Sequence, residues 1–139
     1  MSEPRNVELA RAWLAASDSD LAFAELGARD GFYSQACFES QQAAEKALKA
    51  YLFAQGRELE RTHSLPRLLR ECQTFDQRLA ELEPACATLT AYYIETRYPH
   101  SFSTVAVYSK GVAQEAVHLA AAVLALIREC IGSLSAGGG

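Results

Sequence analysis

Apolar residues recur at helical spacing along residues 33–55, and this pattern constrains the fold more than any other feature of the sequence. Positions three and four apart lie on the same face of a helix. One broad face here carries mostly small side chains: Ala36, Ser40, Ala43, Ala44, Ala47, Leu48, Tyr51 and Leu52. Small residues allow a neighbouring helix to approach closely. The pattern therefore predicts a central helix packed inside a bundle, with Gly56 closing it.

Similar periodic patterns predict helices over residues 7–26 and 109–131, with Gly27 and Gly132 placed to end them. Ser64 is expected to cap a short helix that has Pro66 in its first turn. A fourth helix is expected over residues 75–95, which Pro84 either kinks or splits. The pattern leaves residues 99–108 undefined. No strand-type alternation persists, so the predicted fold class is all-α, an antiparallel up-and-down bundle of four to five helices.

The chain has 139 residues, which matches one domain over residues 1–139, with a core over about 7–131 and a flexible tail at 133–139. Its four cysteines lack CxxC spacing, and no glycine-rich phosphate loop is present, so neither a metal nor a cofactor is expected. Residues 1–6 are polar, unlike a secretory leader. The longest charge-free apolar stretch near the C-terminus, residues 116–127, is shorter than the ~20 residues of a membrane span. A cytoplasmic location without a membrane partner is expected.

Charge is distributed unevenly along the chain. Residues 46–70 hold six Lys or Arg and two Glu, a net charge of +4, and the rest holds seven and fifteen, a net charge of −8. The total of −4 argues against coating nucleic acid through bulk charge. The basic stretch is either a local anion-binding patch or solvated charge at helix ends.

Three motifs follow one another along the chain: ACFESQQAAEKALKAYL at residues 36–52, THSL at 62–65 and ETRYP at 95–99. This ordered set resembles the HEPN domain family (higher eukaryotes and prokaryotes nucleotide-binding), over about residues 7–131. The resemblance implies a compact helical bundle that forms a homodimer. In bacteria and archaea it also implies a separate minimal nucleotidyltransferase protein as partner, in a toxin–antitoxin-like pair.

Some members of this family look like metal-independent endoribonucleases, in which an Arg and a His four to six residues apart face a cleft between subunits. The candidate catalytic residues are Arg97, for phosphorane charge, and His100, as general base. Their spacing is only Arg-x-x-His, and Pro99 lies between them, so the match disfavours enzymatic activity without excluding it. The Arg57-x5-His63 match lies in a loop and is of the kind that chance produces.

The candidate ligand-binding residues are Lys46, Lys49, His63, Arg97 and Tyr98. Simpler roles exist for several of them. Lys49 can pair with Glu45 at i, i+4, His63 can cap a helix start, and Arg97 can complement a helix C-terminus. The favoured function is nucleotide- or RNA-related binding as partner of a nucleotidyltransferase. The alternatives are an endoribonuclease toxin and a non-catalytic protein–protein adaptor.

Overall fold

A computed structural model of the chain describes residues 3–96 and 108–137, with side chains for 6–94, 96 and 108–134. A 3-10 helix spans Gln77–Leu82, and this part of the chain holds no strand. The α-helices are α1 (Glu3–Asp30), α2 (Tyr33–Ala54), α3 (Leu65–Gln73), α4 (Glu83–Leu89), α5 (Tyr92–Glu95) and α6 (Lys110–Gly137). The predicted all-α fold class is confirmed.

Helix α2 is the central element, and α1 and α6 pack along it. The face predicted from its sequence is buried, from Ala36 at 0% exposure to Leu52 at 2%. Close packing of α1 on α2 brings the Ser17 hydroxyl to 2.7 Å from the Ala43 carbonyl oxygen, to which it donates. The small residues of α2 therefore allow the close approach that their sequence predicted.

Two helices extend past the glycines that were predicted to end them. Helix α1 continues through Gly27 to Asp30, and α6 continues through Gly132 to Gly137. A Cβ at position 27 would lie 3.2 Å from the Phe32 carbonyl oxygen, so this glycine allows close packing at the α1–α2 turn. Gly56 does close α2, as predicted, with a φ of +83°.

Pro84 splits the predicted fourth helix instead of kinking it. The segment begins as the 3-10 helix Gln77–Leu82, and Pro84 then lies in the first turn of α4. Proline is tolerated there because the first amides of a helix have no intrahelical acceptor. Helix α5 follows as a single turn.

Helix α6 is the most apolar element of the described chain. By length and composition alone, its residues 110–134 would suffice to cross a membrane, because an 18-residue stretch within them has a mean hydropathy of 1.7. One face of this helix supplies the core, including Ala116, Ala120, Val123 and Ile127, each at 0% exposure. Because only 28% of the apolar stretch is buried inside the protein, core packing accounts for part of its apolar character.

Replacing Ser64 with alanine is expected to lower the free energy of unfolding by about 1 kcal/mol. The Ser64 hydroxyl accepts a hydrogen bond from the Arg67 amide at 3.3 Å and so caps α3. Urea denaturation measures the loss. Ser19→Ala, on the exposed side of α1, is the matched control and should change stability by a few tenths of a kcal/mol at most. Equal effects of the two substitutions would contradict the capping role.

Candidate functional site

A buried carboxylate, Glu45, lies at the centre of a polar row along α2. The spacing i, i+4, i+8 places Gln41, Glu45 and Lys49 on one side of the helix. All three are buried, at 0%, 5% and 5% exposure. Lys49 donates from Nζ to Glu45 Oε2 at 2.9 Å, and Gln41 donates from Nε2 to Glu45 Oε1 at 3.1 Å. The carboxylate is thus paired and hydrogen-bonded inside the bundle, as burial requires.

The loop before α3 brings His63 onto this row. The His63 Nδ1 atom lies 3.1 Å from both oxygens of Glu45. The Gln41 side chain also donates to the His63 carbonyl oxygen, at 3.2 Å. Two residues further on, the Leu65 amide donates to Thr90 Oγ1 at 3.1 Å. Hydrogen bonds to both its ring and its backbone therefore hold His63 in place.

The partner of Nδ1 decides how the imidazole is presented. A carboxylate in an ion pair only accepts hydrogen bonds, so the His63 nitrogen that faces Glu45 carries a proton. The Nε2 edge is then directed away from Glu45. The His63 side chain is 47% exposed, whereas that of Glu45 is 6% exposed. A buried carboxylate thus orients an accessible imidazole, which is the arrangement that sets the tautomer in many functional sites.

An aromatic layer adjoins the histidine. The His63 ring stacks on Tyr93 of α5, with ring centroids 4.1 Å apart and an interplanar angle of 12°. Tyr93 in turn lies 6.1 Å from the Phe38 ring of α2. We call Gln41, Glu45, Lys49, His63 and Tyr93 the Glu45 cluster. It presents one face and one edge of an imidazole at the surface, backed by buried charge.

The other predicted ligand-binding lysine faces a different element. Lys46 donates to Asp20 of α1 at 2.6 Å. Glu39 lies near both of these charged groups. Burial is the largest cause that raises the pKa of the Glu39 carboxyl, Asp20 raises this pKa further, and Lys46 lowers it. The structure therefore joins Lys49 and His63 through Glu45 and places Lys46 with the acidic side chains of α1 and α2.

Three of the predicted residues, Arg97, Tyr98 and His100, lie outside the described residues. Arg57, from the formal Arg-x5-His match, is directed towards α3. Its guanidinium pairs with Glu71 and lies 5.5 Å from the centroid of the Phe75 ring. His63 faces α2 and α5 instead, so the sequence match does not correspond to a paired site.

Two features could not be predicted from the sequence: the central position of Glu45 and the stacking of Tyr93 on His63. The spacing of positions 41, 45 and 49 predicts a polar stripe along one side of α2, but it does not predict that the stripe is buried. The available signal was that this stripe lies on a helix with apolar or small residues on most other sides. A polar row on a helix that is otherwise packed indicates buried hydrogen-bonding groups.

The cysteines do not add a second reactive centre. All four are free thiols and are buried. Burial raises the pKa of the Cys86 thiol to about 12 and, as the largest cause, that of Cys130 to about 11. Thiols with raised pKa values are poor nucleophiles and metal ligands near neutral pH. Among the described residues, no group of three or more His, Cys, Asp or Glu side chains is placed to hold a metal ion.

The described chain is thus an all-α helical bundle with α2 at its centre and a polar cluster beside the loop before α3. The profile of the HEPN domain matches residues 10–130, and the chain belongs to the HEPN domain family. The resemblance seen in its sequence is confirmed.

Two solved structures are similar over most of their length. The crystal structure of TT1696 from Thermus thermophilus is 36% identical, with a TM-score of 0.78, and the match covers 86% of this chain and 96% of that one. ST0689, described as an archaeal HEPN homologue, is 31% identical, with a TM-score of 0.73 and coverage of 88% and 97%. A curated relative, "Putative toxin MJ1304" of Methanocaldococcus jannaschii, is 25% identical over 136 residues and is covered to 89%, as is this chain.

Proposed function

We propose that this chain is a cytoplasmic HEPN protein that binds a nucleotide or RNA and partners a separate minimal nucleotidyltransferase in a toxin–antitoxin-like pair. The observation that carries the binding proposal is His63, which is 47% exposed, held by buried Glu45 and stacked on Tyr93. Membership of the HEPN family and similarity to a relative named as a toxin support the paired system.

The geometry suits ligand binding because the imidazole is already ordered. A side chain immobilised before binding loses less conformational entropy when a ligand arrives. Both the ring face and the Nε2 edge of His63 are chemically suited to nucleic acids, since aromatic and histidine rings stack on unpaired bases. The Glu45 cluster therefore offers a preorganised polar and aromatic surface.

Filter binding and equilibrium dialysis of the purified protein test the binding proposal. We expect saturable binding of ATP, GTP or a single-stranded RNA to the wild-type protein. We expect the affinity to fall at least fivefold in His63→Leu, which loses the hydrogen-bonding edge and the aromatic face. Absence of binding at millimolar nucleotide and at high micromolar RNA would contradict the proposal.

The paired system requires two further properties, a homodimer and a nucleotidyltransferase partner. Light scattering at micromolar concentration is expected to give twice the mass of the 15.2 kDa chain. Co-expression with a nucleotidyltransferase encoded by an adjacent gene is expected to yield a complex that survives size-exclusion chromatography. A monomer in light scattering would contradict the proposed homodimer. An adjacent nucleotidyltransferase that elutes separately would contradict the proposed partnership.

A metal-independent endoribonuclease is the second candidate, favoured by the carboxylate–imidazole pair of Glu45 and His63. A general base must have a free nitrogen that can reach the ribose 2′-hydroxyl. His63 Nε2 is directed away from Glu45 and could take this role. Incubation with total RNA in EDTA tests this activity, with Arg97→Ala, His100→Ala and His63→Leu as variants. Loss of cleavage only in the first two would place the chemistry at Arg97 and His100. A protein that neither binds nor cleaves RNA, yet forms the complex, is the non-catalytic adaptor.

A further inference from the structure

The basic side chains of α2 that the sequence suggested for phosphate binding are both paired with carboxylates of the protein. Lys49 is 5% exposed and donates to Glu45 at 2.9 Å. Lys46 donates to Asp20 at 2.6 Å. A phosphate that approached either ammonium group would have to displace a carboxylate of the protein. The pairing of these two lysines therefore argues against a phosphate-binding patch on the α2 surface.

The accessible element of the Glu45 cluster is instead an aromatic ring. Tyr93 covers one face of the His63 imidazole in a near-parallel stack, at 12° between the planes. Glu45 occupies the Nδ1 edge. Since the side chain is still 47% exposed, its accessible area lies on the remaining face and on the Nε2 edge. Flat aromatic faces of this kind bind the planar rings of nucleobases.

We propose that His63 binds a nucleobase by stacking on its outer face, so that base, His63 and Tyr93 form a three-layered stack. This inference rests on the proposed nucleotide- or RNA-binding function and names the part of the ligand that is recognised. The imidazole is held at its Nδ1 edge by Glu45 and at its inner face by Tyr93. The Nε2 edge is left for a hydrogen bond to the sugar or to the edge of the base.

Two consequences distinguish stacking from phosphate binding. Loss of the stack should weaken binding about 5- to 150-fold, which corresponds to about 1–3 kcal/mol per stacked base. The affinity should also depend only weakly on salt, because few counterions are released when no phosphate is neutralised. A phosphate-binding site would show a steep salt dependence and indifference to the base.

The fluorescence of 2-aminopurine reports base stacking directly. The experiment uses the full chain, a 12-nucleotide single-stranded RNA with one central 2-aminopurine, and 2-aminopurine riboside monophosphate as the free nucleotide. Quenching by the wild-type protein is expected. Quenching of both compounds identifies a site for single nucleotides, whereas quenching of the oligonucleotide alone identifies an RNA site, and either result supports the proposal.

Three variants separate the roles of the residues. His63→Leu should lose the quenching, and His63→Phe, which retains an aromatic face without Nδ1, should keep most of it. Arg11→Gln, on the exposed side of α1, serves as the control and should bind like the wild type. Thermal melts of each variant confirm folding. Because His63 is half-exposed, both substitutions should leave the fold intact.

Two results would overturn the inference. One is equal affinity of the wild type and His63→Leu for the 2-aminopurine oligonucleotide. The other is that the wild type binds an abasic oligonucleotide with the same phosphates as tightly as it binds the 2-aminopurine oligonucleotide. In both cases RNA is still bound, so the proposed function survives while the stacking mode fails. A wild type that binds neither oligonucleotide nor nucleotide would overturn the binding function itself.

Discussion

Replacement of Glu45 with alanine is expected to lower the free energy of unfolding by about 3–5 kcal/mol. The substitution leaves the Lys49 ammonium, 5% exposed, without its carboxylate at 2.9 Å. It also removes one of the two acceptors of Gln41 Nε2 and the partner of His63 Nδ1. An uncompensated buried charge and two lost hydrogen bonds act in the same direction. Urea denaturation followed by circular dichroism measures the difference.

Two further variants identify the cause. Glu58→Ala removes an exposed carboxylate of the loop after α2 and should change the free energy of unfolding by less than about 0.5 kcal/mol. The double variant Glu45→Leu, Lys49→Met removes both buried charges, and it should be less destabilised than Glu45→Ala. If Glu45→Ala and Glu58→Ala changed the free energy of unfolding equally, the buried ion pair would not contribute to stability.

Replacement of Leu48 with alanine is the second large effect, expected at about 2–5 kcal/mol of lost stability. Leu48 lies in the middle of α2 at 0% exposure and belongs to the main hydrophobic core. Its truncation removes buried apolar surface and leaves a cavity between helices that cannot fully collapse. Urea denaturation is again the measurement.

Matched substitutions separate cavity formation from other effects. Leu48→Met conserves most of the volume and should cost less than about 1.5 kcal/mol. Val7→Ala, at a position that is 44% exposed in α1, should change stability by less than about 0.5 kcal/mol. A cost below about 1 kcal/mol for Leu48→Ala would show that α2 is not the central packing element.

The fold could be predicted because hydrophobic periodicity in α2 and α6 determines which faces are buried. Helix ends were harder to predict, since a glycine can either end a helix or allow a close contact. Gly27 has a backbone neighbour, the Phe32 carbonyl oxygen, 3.2 Å from where its Cβ would lie. That contact depends on how α2 packs, which no local pattern encodes.

The candidate site was predicted only in part. Lys49 and His63 were both predicted as site residues, but the residue that joins them, Glu45, was not. Glu45 and His63 are 18 positions apart in the sequence, and helical spacing predicts no contact across a loop. Lys46 and Lys49 are three positions apart and belong to the same basic stretch of the sequence. In the structure, however, Lys46 pairs with Asp20 and Lys49 pairs with Glu45. Only the packing of α1 and of the loop before α3 around α2 separates their roles.

Thermal unfolding of the wild type and of His63→Leu, each with and without single-stranded RNA, tests the central claim that the Glu45 cluster presents His63 to a ligand. Without RNA, the two melting temperatures should differ by only a few degrees, because one hydrogen bond contributes about 1 kcal/mol. RNA at 100 times its Kd should stabilise the wild type by about 2.7 kcal/mol and stabilise His63→Leu far less. Equal stabilisation of both proteins, or of neither, would contradict the account.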